Sequence, residues 1–191
     1  MIRRHSHLST NLGPIVQLYF DLVDLKNLYR QGWLKRGMPP EKVESVADHS
    51  FGVALLGYII ASEYRSDLDS GKVMQIGLFH DLGEALAGDY TPSDRIDGNT
   101  KFTKEEVALR EIFSRFSSPE RYIDLWLEFE RQETSEARFV KGIDRLEMGL
   151  QAYHYERLGY TNLDDFFPDV KRKLEQDPCL SAIFAEVIAE R

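Results

Sequence analysis

Apolar residues recur along this chain with the period of an α-helix, and polar turn residues separate the runs. Over residues 14–29, Ile15, Leu18, Tyr19, Leu22, Leu25, Lys26 and Leu28 mark one stripe, and Pro14 suits a first helical turn. Gly32 and the Gly37-Met38-Pro39-Pro40 run predict a loop. A second helix is expected over residues 45–64, with Val46, Val53, Leu56 and Ile60 on one side. Ala54, Leu55, Tyr58 and Ile59 widen that face, so this helix is expected to be buried. Ser70 can cap a third helix over residues 71–82, turning Val73, Ile76, Gly77, Phe79 and His80 inward. Residues 83–99, with Gly88, Pro92 and Gly98, predict a long irregular stretch of the kind that often carries function.

Beyond it, Thr103 and Glu106 form a capping box for a helix reaching residue 116. Ser118-Pro119 opens another to residue 133, and Ser135 caps one to residue 158. Two more are expected over residues 166–176 and 178–191. No run alternates with period two, so no sheet is expected. With no repeat and no linker, the expectation is one all-α domain over residues 1–191, a single helical bundle. Its core covers about 14–158, with C-terminal helices over 163–191.

Composition narrows the classes. A single domain of 191 residues buries roughly 70% of its unfolded surface and needs no disulfide to stand. The charge of −8 repels a nucleic-acid backbone over long range, so no nucleic-acid partner is expected. A small phosphorylated substrate stays open, because a metal ion or two arginines reverse the field locally. The lone cysteine, Cys179, excludes a disulfide framework and a thiolate zinc cage, and without a basic neighbour it reads as inert. The basic start of the chain precedes an apolar stretch broken by Gln17 and Asp21, a poor signal peptide. No window reaches the roughly 18 apolar residues of a membrane span, so a cytoplasmic location and no membrane are the expectation.

The chemistry gathers in four residues. His80 and Asp81 are adjacent near the end of the third helix, their side chains diverging by about 100°, so an ion over that end can be gripped from both sides. The plain alternative is a core-edge histidine beside a capping carboxylate. His49 lies at the start of the second helix. Asp144 sits mid-helix, one turn from Val140 and beside Ile143, where a buried aspartate is costly unless paired or metal-bound. Its alternative is a salt bridge to Lys141 or Arg145, but those neighbours are expected to point elsewhere on the helix.

The order His, His-Asp, Asp on separate helices resembles the HD-domain phosphohydrolases. The surrounding strings are Glu44-Ser45-Val46-Ala47-Asp48-His49-Ser50, His80-Asp81-Leu82-Gly83-Glu84-Ala85-Leu86-Ala87-Gly88-Asp89, Ala137-Arg138-Phe139-Val140-Lys141 and Arg30-Gln31-Gly32-Trp33. Together they are similar to the branch that hydrolyses deoxynucleoside 5′-monophosphates, over residues 25–155. The resemblance implies His49, His80, Asp81 and Asp144 as metal ligands. This is a nitrogen and oxygen set suited to one divalent ion of Mn, Fe, Co, Ni or Zn. It implies that Glu84 handles the proton of the attacking water or of the leaving sugar oxygen, where the plain reading is a helix-end carboxylate. It implies that Asp89 contacts the sugar and aids catalysis, and that Thr91 lines the pocket; as plain sequence both belong to a turn. Trp33 would fill the space of a ribose 2′-hydroxyl, or else act as an apolar anchor. Arg30 would orient the phosphate, or else Lys35, Arg36 or Arg138 would, since some members place the arginine where this chain has Gly32. The partners implied are a small nucleotide substrate and a second copy of the chain in a homodimer.

Other features read blandly. His5 and His7 lie in a polar N-terminal stretch and are expected to be solvated. His154 stands ten residues beyond Asp144, about 15 Å along a helix, too far to share the ion. Tyr153, Tyr155 and Tyr160 read as packing or a subunit contact, and Glu128, Glu130 and Glu133 as a solvated face. Three other functions compete. A guanosine-tetraphosphate hydrolase usually carries Glu-Asp after His-Asp, whereas Ala85 follows Glu84 here. A cyclic-nucleotide phosphodiesterase needs more histidines than the five present. A non-catalytic metal-stiffened module needs neither Glu84 nor Asp89.

Overall fold

The computed structural model describes residues 12–191; His5 and His7 lie outside them. The α-helices run α1 Pro14–Asn27, α2 Gln31–Leu34, α3 Val46–Tyr64, α4 Ser70–Phe79, α5 Glu84–Ala87, α6 Gly98–Phe113, α7 Glu120–Arg131, α8 Ser135–Arg157, α9 Phe166–Leu174 and α10 Pro178–Glu190. No strand occurs among the described residues. An isolated antiparallel bridge pairs Tyr29 with Ser45. The fold is all-α, and no described helix is long and apolar enough to cross a membrane.

Several boundaries differ from expectation, each for a local reason. The loop expected around Gly32 contains α2. Asp69, not Ser70, caps α4, accepting from the Lys72 N–H at 3.0 Å. That helix stops at Phe79, so His80 and Asp81 occupy the turn after it rather than its last turn. The stretch expected to be irregular holds α5 and a 3-10 turn at Pro92–Asp94. Asp97 opens α6 by accepting from the Thr100 N–H at 3.0 Å, so Thr103 lies inside the helix instead of capping it. Thr134 caps α8, accepting from Ala137.

The chain forms two compact units, each assembled from two stretches. The first comprises the segment ending at Ser50 and Phe79–Leu127. Leu25, Leu28, Val46, Leu82, Leu109, Ile112, Phe113, Ile123 and Trp126 form its core. The second comprises Phe51–Leu78 and Glu128–Arg191. Here α8 packs on α9 and α10 at close range, because a Cβ at Gly149 would meet the Phe184 ring at 2.6 Å. Along α3 the expectation of complete burial fails: Phe51, Leu55, Tyr58 and Ile59 are exposed, while Val53, Ala54 and Ile60 are buried.

Candidate metal centre

The site is built in the first unit from the start of α3, the turn after Phe79 and the short α5. Ser45 and Asp48 form a reciprocal cap at the start of α3. The Ser45 hydroxyl accepts from the Asp48 N–H at 3.1 Å, and the Asp48 carboxylate accepts from the Ser45 N–H at 2.9 Å. His49 follows directly and is fully buried. The bridge beside it, with Arg30 N–H to the Glu44 carbonyl at 3.0 Å and Val46 N–H to the Leu28 carbonyl at 2.8 Å, ties the α1–α2 connection to the start of α3.

His49 and His80 face each other, ring centres 5.4 Å apart at 65°. Their Nε2 atoms lie 3.7 and 3.1 Å from Oδ2 of Asp81. One ligand atom from each of the three residues falls within 4.8 Å of the other two, the spread of donors around a single cation. Two imidazoles and a carboxylate, without sulfur, fit a divalent transition metal. Burial works against the charge of Asp81, but His80, Arg30 and His49 outweigh it and hold the carboxyl well below the usual carboxylate range. Arg30 reaches Oδ2 of Asp81 at 3.4 Å; both side chains keep slight exposure, 13% and 14%, which marks the open side of the cluster.

Glu84 lies one short turn beyond Asp81, its N–H donating to the Asp81 carbonyl at 3.0 Å. The side chain is buried. Oε1 lies 3.4 Å from Lys101 Nζ, and Oε2 has no hydrogen-bond partner. Burial, and then the charges of Asp81 and Asp89, push its carboxyl well above the usual range. Lys101 comes from α6 and also approaches Glu105 at 3.3 Å. Gly83 permits this, because a Cβ there would meet the Glu105 carbonyl oxygen at 3.0 Å. On the lysine, burial disfavours charge, but Glu84, Glu105 and Asp81 outweigh it and raise the ammonium above its ordinary value. Lys101 and Glu105 were not anticipated from the sequence; their only signal there is an i,i+4 spacing that normally marks a solvated helix face.

The remaining candidates divide. Asp89 accepts from the Gln31 N–H at 2.6 Å, which ties it to the residue after Arg30. Trp33 is 2% exposed and its indole N–H donates to Glu44 at 2.7 Å, an anchored core residue. The Thr91 hydroxyl bonds Asp94 at 2.7 Å and Ser93 at 2.8 Å, and Lys35 reaches both Thr91 and Asp94. Arg138 is spent on the carbonyls of Gln132 and Glu133 at 3.0 and 3.1 Å. Among the basic alternatives to Arg30, Lys35 and Arg138 are therefore committed elsewhere.

Asp144 is buried on α8, in the second unit. Lys141 Nζ and Arg145 Nε approach Oδ2 at 3.8 and 4.0 Å, so the expectation that both cations point away from it is not met.

A family model described as the HD domain matches residues 22–179. The chain belongs to the HD-domain family. HD domains are metal-dependent phosphohydrolases, and His49, His80 and Asp81 form the candidate metal centre of this one. The match extends past the sequence resemblance into α9 and α10. The chain is 35% identical over 179 residues to the 5′-deoxynucleotidase HDDC2 of Dictyostelium discoideum, covering 87% of this chain and 93% of that protein. Against the human 5′-deoxynucleotidase HDDC2 the identity is 33% over 171 residues, covering 87% and 81%. Among solved structures, a conserved hypothetical protein from Pyrococcus furiosus superposes with a TM-score of 0.76 at 34% identity, over 91% of this chain and 99% of that one.

Proposed function

We propose that this HD-domain protein is a 5′-deoxynucleotidase, hydrolysing deoxynucleoside 5′-monophosphates to deoxynucleoside and phosphate with one divalent ion of Mn, Fe, Co, Ni or Zn. The observation that carries this is the His49–His80–Asp81 cluster beside Glu84, in a chain 35% identical to a 5′-deoxynucleotidase over most of its length. His49, His80 and Asp81 hold the ion. When bound, the ion polarises the phosphoryl group and lowers the pKa of water.

The protein's own groups supply the rest. Arg30, a planar fork on the open side of the cluster, orients the phosphate dianion. Glu84 keeps one buried carboxylate oxygen without a partner, suited to taking the proton of the attacking water or giving one to the leaving 5′-oxygen. The atoms balance: water adds to phosphorus, the P–O5′ bond breaks, and the sugar oxygen leaves protonated. Asp89 meets the sugar, Thr91 borders the pocket, and Trp33 occupies the volume a 2′-hydroxyl would need. The proposal extends to a homodimer, supported by the apolar side chains exposed on α3 and checked by light scattering, and to a cytoplasmic location.

The test is phosphate release from ribo- and deoxynucleoside 5′-monophosphates by chelated protein resupplied with single divalent ions. Release that requires an added ion and favours deoxynucleotides is expected. Undiminished turnover in metal-stripped protein carrying His80→Ala would end this reading.

A further inference from the structure

The geometry points to Lys101 as a positioning residue for Glu84, a role that rests on the hydrolase reading above. Lys101 stands in the second turn of α6, and its ammonium lies 3.4 Å from Oε1 of Glu84 and 3.3 Å from Oε1 of Glu105. Both acids are buried, at 1% and 4% exposure. Two buried carboxylates without a cation would resist charging, and an exposed lysine–glutamate pair would count for little. This pair differs from a surface i,i+4 bridge because both of its acceptors are inside. An ammonium is a compact charge, so one lysine faces both acids at once, donating to Oε1 of Glu84 and forming an ion pair with Oε1 of Glu105. Glu105 holds the lysine from one turn further along its own helix, and its backbone abuts Gly83, next to Glu84.

The consequence is a division of labour between the two oxygens of Glu84. Oε1 is taken by Lys101, and Oε2 is left buried without a partner. Lys101 thereby fixes which oxygen is presented to the reaction and keeps the carboxyl in one rotamer. Its ion-pair partners are Glu84 and Glu105, so it acts through Glu84.

The test is a double-mutant cycle on the metal-loaded enzyme, with Lys101→Met, Lys101→Arg, Glu84→Gln and the double variant Lys101→Met/Glu84→Gln. Steady-state kinetics is measured on a deoxynucleoside 5′-monophosphate. Lys101→Met is expected to lower kcat about tenfold, part of the roughly 10²–10⁴ that a proton-transfer group contributes, with KM changed by less than about twofold. Lys101→Arg should restore most of the loss, and Lys101→Met should cost nothing further in the Glu84→Gln background. A kcat loss of equal factor in both backgrounds, an unchanged kcat, or a loss confined to KM would overturn the inference.

Urea denaturation of the same four proteins and the wild type supplies a readout independent of turnover. Lys101→Met should destabilise less when Glu84 is already Gln, and strictly additive losses would also overturn the pairing. Wild-type protein that releases no phosphate with any ion sinks the hydrolase reading instead, and the urea cycle then decides the Lys101–Glu84 pairing alone.

Discussion

The two units of the chain bury different kinds of side chain. The first buries Asp24, Ser45, His49, Ser50, His80, Glu84 and Glu105; the second buries only Asp144 and Glu147 among polar groups. Taking an ionisable group out of water costs free energy unless partners return it, and in the first unit the return is incomplete: Glu84 keeps an oxygen with no partner. The second unit is instead held by close helix contacts, with Gly77 against Ala54 on α3 and Gly149 against Phe184 on α10. Substitutions of the clustered polar groups of the first unit should therefore remove activity while sparing the fold, and substitutions at the close helix contacts of the second should do the reverse.

The largest effect expected is at Asp81. Asp81→Ala removes the carboxylate shared by both imidazoles and should abolish metal-dependent phosphate release, a loss of about 10³-fold or more if the ion supplies several kcal/mol. The helical circular dichroism spectrum should be nearly unchanged, and calorimetric titration should show weakened ion binding. An unfolded Asp81→Ala protein would mean that the cluster holds the fold together, erasing the contrast between the units.

Trp33 sharpens the comparison because it belongs to both descriptions. Trp33→Ala should destabilise by about 3–5 kcal/mol in urea denaturation, since it empties a buried site and removes the indole bond to Glu44. If the ring also fills the place of a 2′-hydroxyl, the ratio of kcat/KM for deoxy over ribo substrates should narrow in the same variant. An unchanged ratio would assign Trp33 to the core alone.

A smaller effect is expected at Gly149. Alanine there gains about 1 kcal/mol of helix propensity, but its Cβ would stand 2.6 Å from the buried Phe184 ring and 3.0 Å from Val170. Overpacking of that kind costs about 1–3 kcal/mol, so the net is a loss of about 1 kcal/mol, or a Tm lower by about 2–4 °C. The kcat of the folded enzyme should stay at the wild-type value. A drop in kcat at constant ion binding would show that packing in the second unit is coupled to catalysis.

Long helices and the grouping of His49, His80 and Asp81 were legible because each rests on local sequence. The stripes of α1 and α8 follow a 3.6 period, and His49, His80 and Asp81 are conspicuous polar residues at apolar sites. The helix starts were harder, because several polar residues compete to cap: Thr103 looked like a cap, but Asp97 captures the Thr100 N–H six residues earlier. On α3 the side carrying Val46, Val53, Leu56 and Ile60 does face inward, but how far burial spreads around the helix was not legible, and Leu55, Tyr58 and Ile59 lie exposed. Within the site, Lys101 was hidden because its partner Glu84 is 17 residues away in sequence. Only the approach of α6 to α5, permitted at Gly83, makes a common surface-type pair into a buried one.

The smallest effect concerns the turn that carries Thr91. Asp94 is held down to about 2 from an ordinary 3.8, by its bond to Lys35 first and then by the backbone and hydroxyl of Thr91. A depressed carboxyl stabilises the folded turn in its ionised form. That contribution is complete above the unfolded value of 3.8 and is lost as pH falls through about 2. Carbon-detected NMR should find Asp94 titrating near 2, and Lys35→Met should move it back toward 3.8 because the leading cause is gone. If the midpoint stays near 2 in that variant, Thr91 alone organises the turn and Lys35 is left available for phosphate. If it rises, Lys35 is structural here, and Arg30 remains the group that meets the substrate anion.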